Sequence, residues 1–502
     1  MKRAPLALAA VTTALAAVTG IAALTAPAAP AAADAKARQQ SAAGLPVERS
    51  TLVCPAPSTS DIADTTYTTI TPGKAGSQAG SPAKGSARLT GATKDAKPVL
   101  EPKTPGTPVG ATSTGAEAPA LTGTADGVLA PGWTAQQTTQ VAVGQARGLL
   151  GVACTAPGTE FWFPGTSTAK GRQDYVHLTN ADDTPAVVDI QLFGPEGALK
   201  TDAGSGENIK IGPKSSVAVL LSTLAPSAQL ADVTARVTTR SGRVGASVQV
   251  AEDGVGTDWL PASTDPAGSL VLPGIPADAT SVRLVAHAPG EEDADLTLRL
   301  AGPGGSITPA GSEQLHVKGG MSVSVDLKDV TRGEAGSLVL TPSGGHKAVP
   351  VVAAVRVVRG SGSKQELGFI AASGPVGARA TVADNRTDTG STTVSLTVPS
   401  GAKDAKVRIT ASPGTQGGEA AVKEFTVKAG TTLAIPQPPA PAGGKGSYAL
   451  TVETLSGGPV HASRTLSLPH EGIAMFTVQS FADDHGTVPV PKAVQDLSIL
   501  TG

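Results

Sequence analysis

The segment "IKIGPKSSVAVLL" at residues 209–221 returns in altered form twice along the chain, and this repetition indicates the fold class. The related segments are "LHVKGGMSVSVDL" at 315–327 and "FTVKAGTTLAIP" at 425–436. In each, a β-branched residue is followed six positions later by another apolar residue, and a glycine-containing turn lies between them. The pattern predicts three equivalent β-hairpins that return at intervals of roughly 105–110 residues.

A second marker keeps the same spacing along the chain. Three hairpin-like segments each contain a Ser-Gly turn: Ser241-Gly242, Ser343-Gly344 and Ser456-Gly457. A repeat of about 100 residues is the size of an Ig-like or fibronectin-III-like sandwich, whereas a propeller blade repeats at about 40 to 50 residues. The sequence therefore predicts an all-β fold of about three tandem Ig-like β-sandwiches, at 128–255, 256–360 and 361–502.

The first part of the chain predicts export. "MKR" is a basic start, and no charged residue follows it until Asp34. We expect a signal peptide at 1–33, with small residues suited to cleavage, or an uncleaved signal anchor. Either alternative places the protein outside the cytoplasm, with membrane contact only through this segment.

Residues 34–127 are expected to contain little folded structure. A short strand segment with Cys54 is predicted within 34–70. Residues 71–127 are Pro, Gly, Ala, Ser and Thr with few bulky side chains, which is typical of a disordered linker that cannot bury enough apolar surface to fold.

The two cysteines, Cys54 and Cys154, are expected to form one disulfide. They are even in number, they lie in similar contexts ("LVCPAP" and "VACTAP"), and the chain is predicted to be exported to an oxidising compartment. A redox pair or a metal site is disfavoured, because the sequence has no Cys-x-x-Cys and no histidine beside either cysteine.

Two tryptophans mark similar short motifs, "TEFWFPG" with Trp162 and "TDWLPAS" with Trp259. We interpret them as equivalent aromatic residues that plug one end of successive sandwich cores. The alternative, stacking against a sugar ring, would require both side chains to be exposed.

Few residues suggest chemistry. The strongest candidate is a weak calcium site at Glu291, Glu292, Asp293 and Asp295, although acidic hairpin tips usually only stabilise turns. No catalytic residue, no other metal site and no cofactor is predicted. The net charge of −2 provides no basic surface for nucleic acid.

Several segments together resemble a family of exported proteins from high-GC, Streptomyces-like actinobacteria that is known only as a domain of unknown function. They are "LVCPAP", "CTAPGTEFWFPG" and "YVHLTNADDTPAVVDIQLFGPEG", within 52–197. The resemblance extends from Cys54 to the C-terminus. It implies an envelope-associated exported protein and supplies no catalytic residues.

Three hypotheses of function follow. The first is a non-catalytic exported cell-envelope scaffold or adaptor that binds a protein or another envelope partner. The second is an array of carbohydrate-binding modules on wall polysaccharide, which a face of exposed aromatic residues would favour. The third is a hydrolase of unrecognised type, which would need paired carboxylates or a Ser–Lys contact in a cleft.

Overall fold

The computed structural model describes residues 43–73, 84–201, 204–345, 347–388 and 390–490. The chain forms two compact units. The smaller described unit is an antiparallel pair of strands, β1 (Ala43–Pro46) and β36 (Thr487–Val490). The larger unit is Val47–Gly486, and it is almost entirely β-structure, as the sequence predicts.

The larger unit contains four pairs of sheets. Sandwich 1 is formed by β2 (Arg49–Cys54), β3 (Ala63–Ile70), β4 (Ala87–Gly91), β5 (Pro98–Leu100), β6 (Val109–Thr114), β7 (Leu121–Asp126), β8 (Thr134–Val141) and β9 (Gly148–Ala153). Sandwich 2 is formed by β10 (Glu160–Thr166), β11 (Arg172–Asn180), β12 (Ala186–Gly194), β13 (Gly197–Ala198), β14 (Ile209–Ile211), β15 (Ser215–Leu220), helix α1 (Leu221–Leu224), β16 (Val233–Ser241), β17 (Gly245–Glu252) and β18 (Gly256–Leu260).

The other two sandwiches follow along the chain. Sandwich 3 is formed by β19 (Leu270–Ile275), β20 (Ala279–His287), β21 (Ala294–Gly302), β22 (Gly305–Ile307), β23 (Gln314–Val317), β24 (Ser322–Lys328), β25 (Gly336–Pro342), β26 (Val352–Arg359) and β27 (Glu366–Ala371). Sandwich 4 is formed by β28 (Arg379–Asn385), β29 (Thr392–Val398), β30 (Lys403–Ala411), β31 (Ala421–Val427), β32 (Thr431–Ile435), β33 (Tyr448–Gly458), β34 (His461–Ser467) and β35 (Phe476–Ser480).

All four sandwiches share one strand order. Leaving aside the short strands β13 and β22, one sheet pairs the first, sixth, third and fourth strands, and the other pairs the fifth, second, seventh and eighth. Each pair of sheets encloses its own apolar cluster. The sandwich architecture is therefore as predicted, but the described chain holds four such units where the sequence suggested about three.

The unit that the sequence missed lies largely in the predicted linker. Four strands, β4 to β7, fall within residues 84–127, which were wrongly assigned to disorder, while 74–83 lie outside the described residues. The reason is the composition of the sandwich 1 interior. Strands β4 to β7 consist largely of Ala, Gly and Thr, and β8 places Gln137 and Thr139 on the same face as Ala135, where the other sandwiches have Val, Leu and Ile.

The repeated segments are equivalent, but they are not hairpins. In each of them the first strand belongs to one sheet and the second to the facing sheet, as β14 pairs with β12 and β15 with β11. The three Ser-Gly segments cross between sheets in the same manner. Gly242, Gly344 and Gly457 all have positive φ, which explains the need for glycine at these turns.

The predicted boundaries at 256 and 361 each fall one strand too early. β18 completes sandwich 2, and β27 completes sandwich 3. Both eighth strands were assigned to the following domain; β18 was assigned there because Trp259 was interpreted as the equivalent of Trp162 in the next sandwich.

The four sandwiches close into a ring. Their eighth strands contact one another in a cycle, β9 with β18, β18 with β27, β27 with β35, and β35 with β9. First strands also pack on the next sandwich: β10 contacts β20 and β26, β19 contacts β29 and β34, and β28 contacts β3 and β8. The last contact joins sandwich 4 to sandwich 1, so the ring is complete.

Each eighth strand covers the core of the preceding sandwich. Leu367, Phe369 and Ala371 of β27 belong to the apolar cluster of sandwich 2, and Phe476 and Val478 of β35 belong to that of sandwich 3. The four eighth strands thus lie together at the centre of the ring, which we call the ring axis. The side chains on their other face point along this axis.

No helix in the described part of the chain is long and apolar enough to cross a membrane. The predicted signal peptide or anchor at 1–33 lies outside the described residues.

Candidate functional site

Two carboxyl side chains lie at the ring axis, and each packs against a glycine of the opposite strand. A Cβ atom at Gly256 of β18 would clash with Oε1 of Glu366 in β27. A Cβ at Gly368 of β27 would lie 3.5 Å from Oδ2 of Asp258 in β18. We call Asp258 and Glu366 the axial acid pair. Glu366 fills the room that the missing side chain of Gly256 leaves, whereas Gly368 makes room mainly for the ring of Phe476.

Asp258 contacts three other sandwiches. Its Oδ1 accepts hydrogen bonds from the backbone N–H of Gly151 at 3.1 Å and from the hydroxyl of Thr477 at 3.2 Å. Its Oδ2 faces Gly368 of sandwich 3 and has no hydrogen-bond partner among the described residues. Burial raises the pKa of Asp258 well above its usual range, because no ion pair offsets the loss of hydration.

Glu366 is fully buried, and burial raises its pKa to about 9, with the neighbouring Asp258 contributing. Arg147 lies near this end of the axis. Its guanidinium donates to the carbonyl oxygens of Val255 at 2.7 Å and Gln365 at 2.6 Å, and so joins sandwiches 1, 2 and 3. Because Arg147 bonds to carbonyls, it does not neutralise the carboxyl group directly.

A chain of buried polar groups leads from Asp258 to the place where the ring closes. Thr477 accepts from Gln479 at 3.3 Å, and Arg464 donates to Oε1 of Gln479 and, at 2.9 Å, to the carbonyl of Asp384. Burial lowers the pKa of Arg464 to about 10. The chain ties the sandwich 4 interior to the axis.

Sandwich 4 and sandwich 1 meet at what we call the closing junction, formed by Thr68, Asp384 and Ser447. The hydroxyl of Thr68 lies 2.6 Å from the hydroxyl of Ser447 and donates to Oδ1 of Asp384 at 3.1 Å. Asp384 has φ of 61° at a bulge in β28, where the equivalent bulges of sandwiches 2 and 3 have Gly165 and Gly274. The backbone of a residue other than glycine is strained in the left-handed region, so the contacts of Asp384 must stabilise this conformation.

Trp259 and Trp162 are buried, but they are not equivalent. Trp259 lies in the last strand of sandwich 2 and packs on Leu150 and Val152 of sandwich 1. Trp162 lies in the first strand of sandwich 2 and stacks 5.4 Å from the ring of His287 in sandwich 3. Their relative exposures are 2% and 4%. The expectation of two matching core plugs is thus corrected, since both side chains fill junctions between sandwiches.

The calcium candidate is a set of surface ion pairs. Glu292 pairs with Lys347 at 2.7 Å, and His316 lies 2.8 Å from Asp295 and 3.5 Å from Asp293. Among the described residues, no group of three or more His, Cys, Asp or Glu side chains is arranged to hold a metal. Glu291, the other residue of this candidate, is exposed in the loop beside them.

Cys54 and Cys154 form the predicted disulfide. It joins the end of β2 to the residue after β9, and therefore encloses β3 to β9, the other strands of sandwich 1. The expected disordered linker within this loop is not what the structure shows at 84–127, because these residues form strands β4 to β7 of sandwich 1.

A shallow groove on sandwich 1 exposes two apolar side chains. Ile62, before β3, and Val143, in the β8–β9 turn, are 51% and 54% exposed. Because Ala63 pairs with Val141, the two loops lie side by side. Polar residues complete the groove: Thr59, Ser60, Asp61 and Gln145.

The comparisons with known proteins identify a family. The family of unknown function DUF5719 matches residues 109–438. The chain belongs to it. The matched region runs from β6 of sandwich 1 to beyond β32 of sandwich 4, so the DUF5719 match covers parts of all four sandwiches. No curated protein matches the chain.

Sequence reasoning found the disulfide of this DUF5719 protein but missed the axial acid pair. Asp258 stands directly before Trp259 in "TDWLPAS" and Glu366 stands in "KQELGFI". The available signal was an acidic residue within a strand of otherwise apolar or small residues, with a glycine two positions away. Nothing in the sequence indicates that these two strands meet.

Proposed function

We propose that this DUF5719 protein is a non-catalytic, exported cell-envelope scaffold that binds a protein partner on the loops of its ring. The observation that carries the proposal is the closed ring. Contacts between eighth strands hold the four sandwiches together, so the loops at one end of each sandwich keep fixed positions. Fixed loops on a rigid framework are a common form of protein-binding surface.

The distribution of reactive groups supports a binding role. Asp258 and Glu366, the paired carboxyls that a hydrolase would need in an open cleft, are 1% and 0% exposed and fill a junction between strands. Their surroundings therefore favour a structural function over catalysis.

The positions of the tryptophans favour a protein partner over a polysaccharide. A carbohydrate-binding face uses exposed aromatic rings, whereas the side chains of Trp162 and Trp259 are buried at the junctions between sandwiches. The exposed apolar pair on sandwich 1, Ile62 and Val143, instead offers aliphatic contacts with a polar rim, which is typical of the contact surface of a protein.

Export is supported by two features. A disulfide that encloses a sandwich is typical of oxidising compartments. The apolar, uncharged stretch that follows "MKR" is typical of a signal segment.

The test is photo-cross-linking in the native host, with a photoreactive amino acid placed at Ile62 or Val143 of the full chain. Val422, 60% exposed on the outer strand β31, provides a control of similar exposure. We expect one protein adduct from both loop positions and none from Val422. Equal labelling at all three positions, or adducts with polysaccharide alone, would contradict the proposal.

A further inference from the structure

The axial acid pair occupies a place where charge is costly. Asp258 and Glu366 lie between β18 and β27, where sandwiches 2 and 3 meet at the ring axis. Each has one oxygen, Oδ2 and Oε2 respectively, without a hydrogen-bond partner among the described residues. An ionised carboxylate in such a site would lose its hydration without gaining hydrogen bonds or an ion pair that replace it.

The charged groups around the pair are already engaged. Arg147, before β9, donates to backbone carbonyls, and its positive charge lowers the pKa of Glu366 without offsetting the effect of burial. Arg359, opposite Glu366 on β26, pairs with Asp278 at 2.7 Å. Farther along, Glu252 on β17 pairs with Arg356 on β26 at 2.6 Å.

The remaining neighbours carry no charge that could stabilise an ionised pair. The residues of β9 and β35 nearest to Asp258 are Gly151, Thr477 and Gln479, none of which titrates. Burial therefore favours the protonated, neutral form of each acid in the closed ring.

We propose that the axial acid pair is a proton-dependent seal: the ring is closed while Asp258 and Glu366 are protonated, and loss of their protons loosens β18 from β27. An ionised Glu366 would be repelled by an ionised Asp258. It would also be held against the backbone at Gly256 with no room for a hydration shell. Separation of the two strands admits water and relieves both costs.

The direction of the pH effect follows from linkage. The folded pKa of Glu366 is about 9, raised by burial from an ordinary value of 4.5. The closed state binds a proton that the open state releases, so closure is strongest below about pH 4.5. Between that pH and about pH 9 the closing equilibrium constant falls by up to tenfold per pH unit for this group.

Buried histidines would obscure the effect at lower pH. Burial lowers the pKa of His177 and of His287 to about 4. The folded protein therefore loses stability as the pH falls below about 6.5, where these histidines would be protonated in the unfolded chain. Between about pH 7 and pH 9 these histidines are neutral in folded and unfolded states alike. In this window His177 and His287 do not contribute to the pH dependence.

The test is hydrogen–deuterium exchange of the full chain across that window, corrected for intrinsic exchange rates. Peptides covering β18 and β27 should show an opening constant that rises with pH by up to about tenfold per unit. Glu366→Gln and Asp258→Asn, which mimic the protonated acids, should each flatten the rise. Glu334→Gln, at an exposed position, should leave it unchanged.

The melting temperature of each variant over the same pH range gives a second readout. If one neutral variant fails to fold, the other variant and the wild-type protein still provide the comparison. Protection of β18 and β27 in the wild-type protein that does not change with pH would overturn the proposal. So would an unchanged pH slope in both neutral variants.

Discussion

Replacement of Cys54 and Cys154 by alanine should destabilise sandwich 1 more than the rest of the ring. The disulfide spans 100 residues. A closed loop of that length stabilises a fold by about 4.7 kcal/mol through the reduced entropy of the unfolded chain. The described residues within the loop form strands β3 to β9, so most of this stabilisation applies, and we expect a loss of about 3 to 5 kcal/mol.

The structure explains why sandwich 1 depends on this bond. Its apolar cluster has about half as many buried residues as that of sandwich 3. Part of its remaining interior is polar, including Gln137 and Thr139 on β8. A small apolar core stabilises a domain weakly, and a disulfide is a common compensation.

The assay is urea denaturation of the C54A/C154A protein, followed by hydrogen exchange in peptides of sandwich 1 and sandwich 3. Protection should fall first in β3 and β8, and remain higher in β20 and β26. Reduction of the wild-type protein after unfolding provides a chemical control with the same expected loss. Equal loss of protection in all four sandwiches, or no change in unfolding free energy, would refute the reasoning.

Three further outcomes are expected from the packing. Trp259→Ala removes the side chain that covers sandwich 1 and should lower the unfolding free energy by about 3 to 5 kcal/mol in denaturation; a loss below about 1 kcal/mol would contradict its junction role. Gly274→Ala places a Cβ against the side chain of Ser463 at a φ of +82° and should lower the melting temperature. Gly304→Ala is the control, because a Cβ at Gly304 would have no other atom within 4 Å, and it should change the melting temperature little. Equal effects of the two substitutions would contradict this prediction. Calcium should leave the melting temperature unchanged because Asp293 already contacts His316 and the backbone, and a saturable rise would restore the calcium hypothesis.

The sequence predicted the sandwiches wherever apolar alternation was strong. Strands such as β12 and β21 alternate apolar residues with polar ones, and the turns after β16, β25 and β33 require glycine with positive φ. These are local properties, so one sequence is enough to reveal them. Sandwich 1 lacks strong apolar alternation, because threonine and glutamine occupy part of its interior, and it was therefore not predicted.

The ring and the axial acid pair could not be predicted, because both depend on contacts between strands far apart in sequence. Trp259 looks like an ordinary core residue, although the core that it covers belongs to the preceding sandwich. Glu366 and Gly256 are complementary only once β18 and β27 face each other. An acid next to apolar or small strand residues is only a weak signal of burial, since Asp and Glu in strands are usually solvent-facing.

Closure of the ring is tested most directly at the closing junction. The hydroxyl oxygens of Thr68 and Ser447 lie 2.6 Å apart, although the residues are 379 positions apart in sequence. In the double variant T68C/S447C, mild oxidation of the folded protein should form a second disulfide, which non-reducing peptide mapping would identify. The single variants T68C and S447C should each keep a free thiol, and folding of all three is verified by circular dichroism. A 68–447 cross-link is the result that the closed ring predicts, and two free thiols in a folded double variant would contradict it.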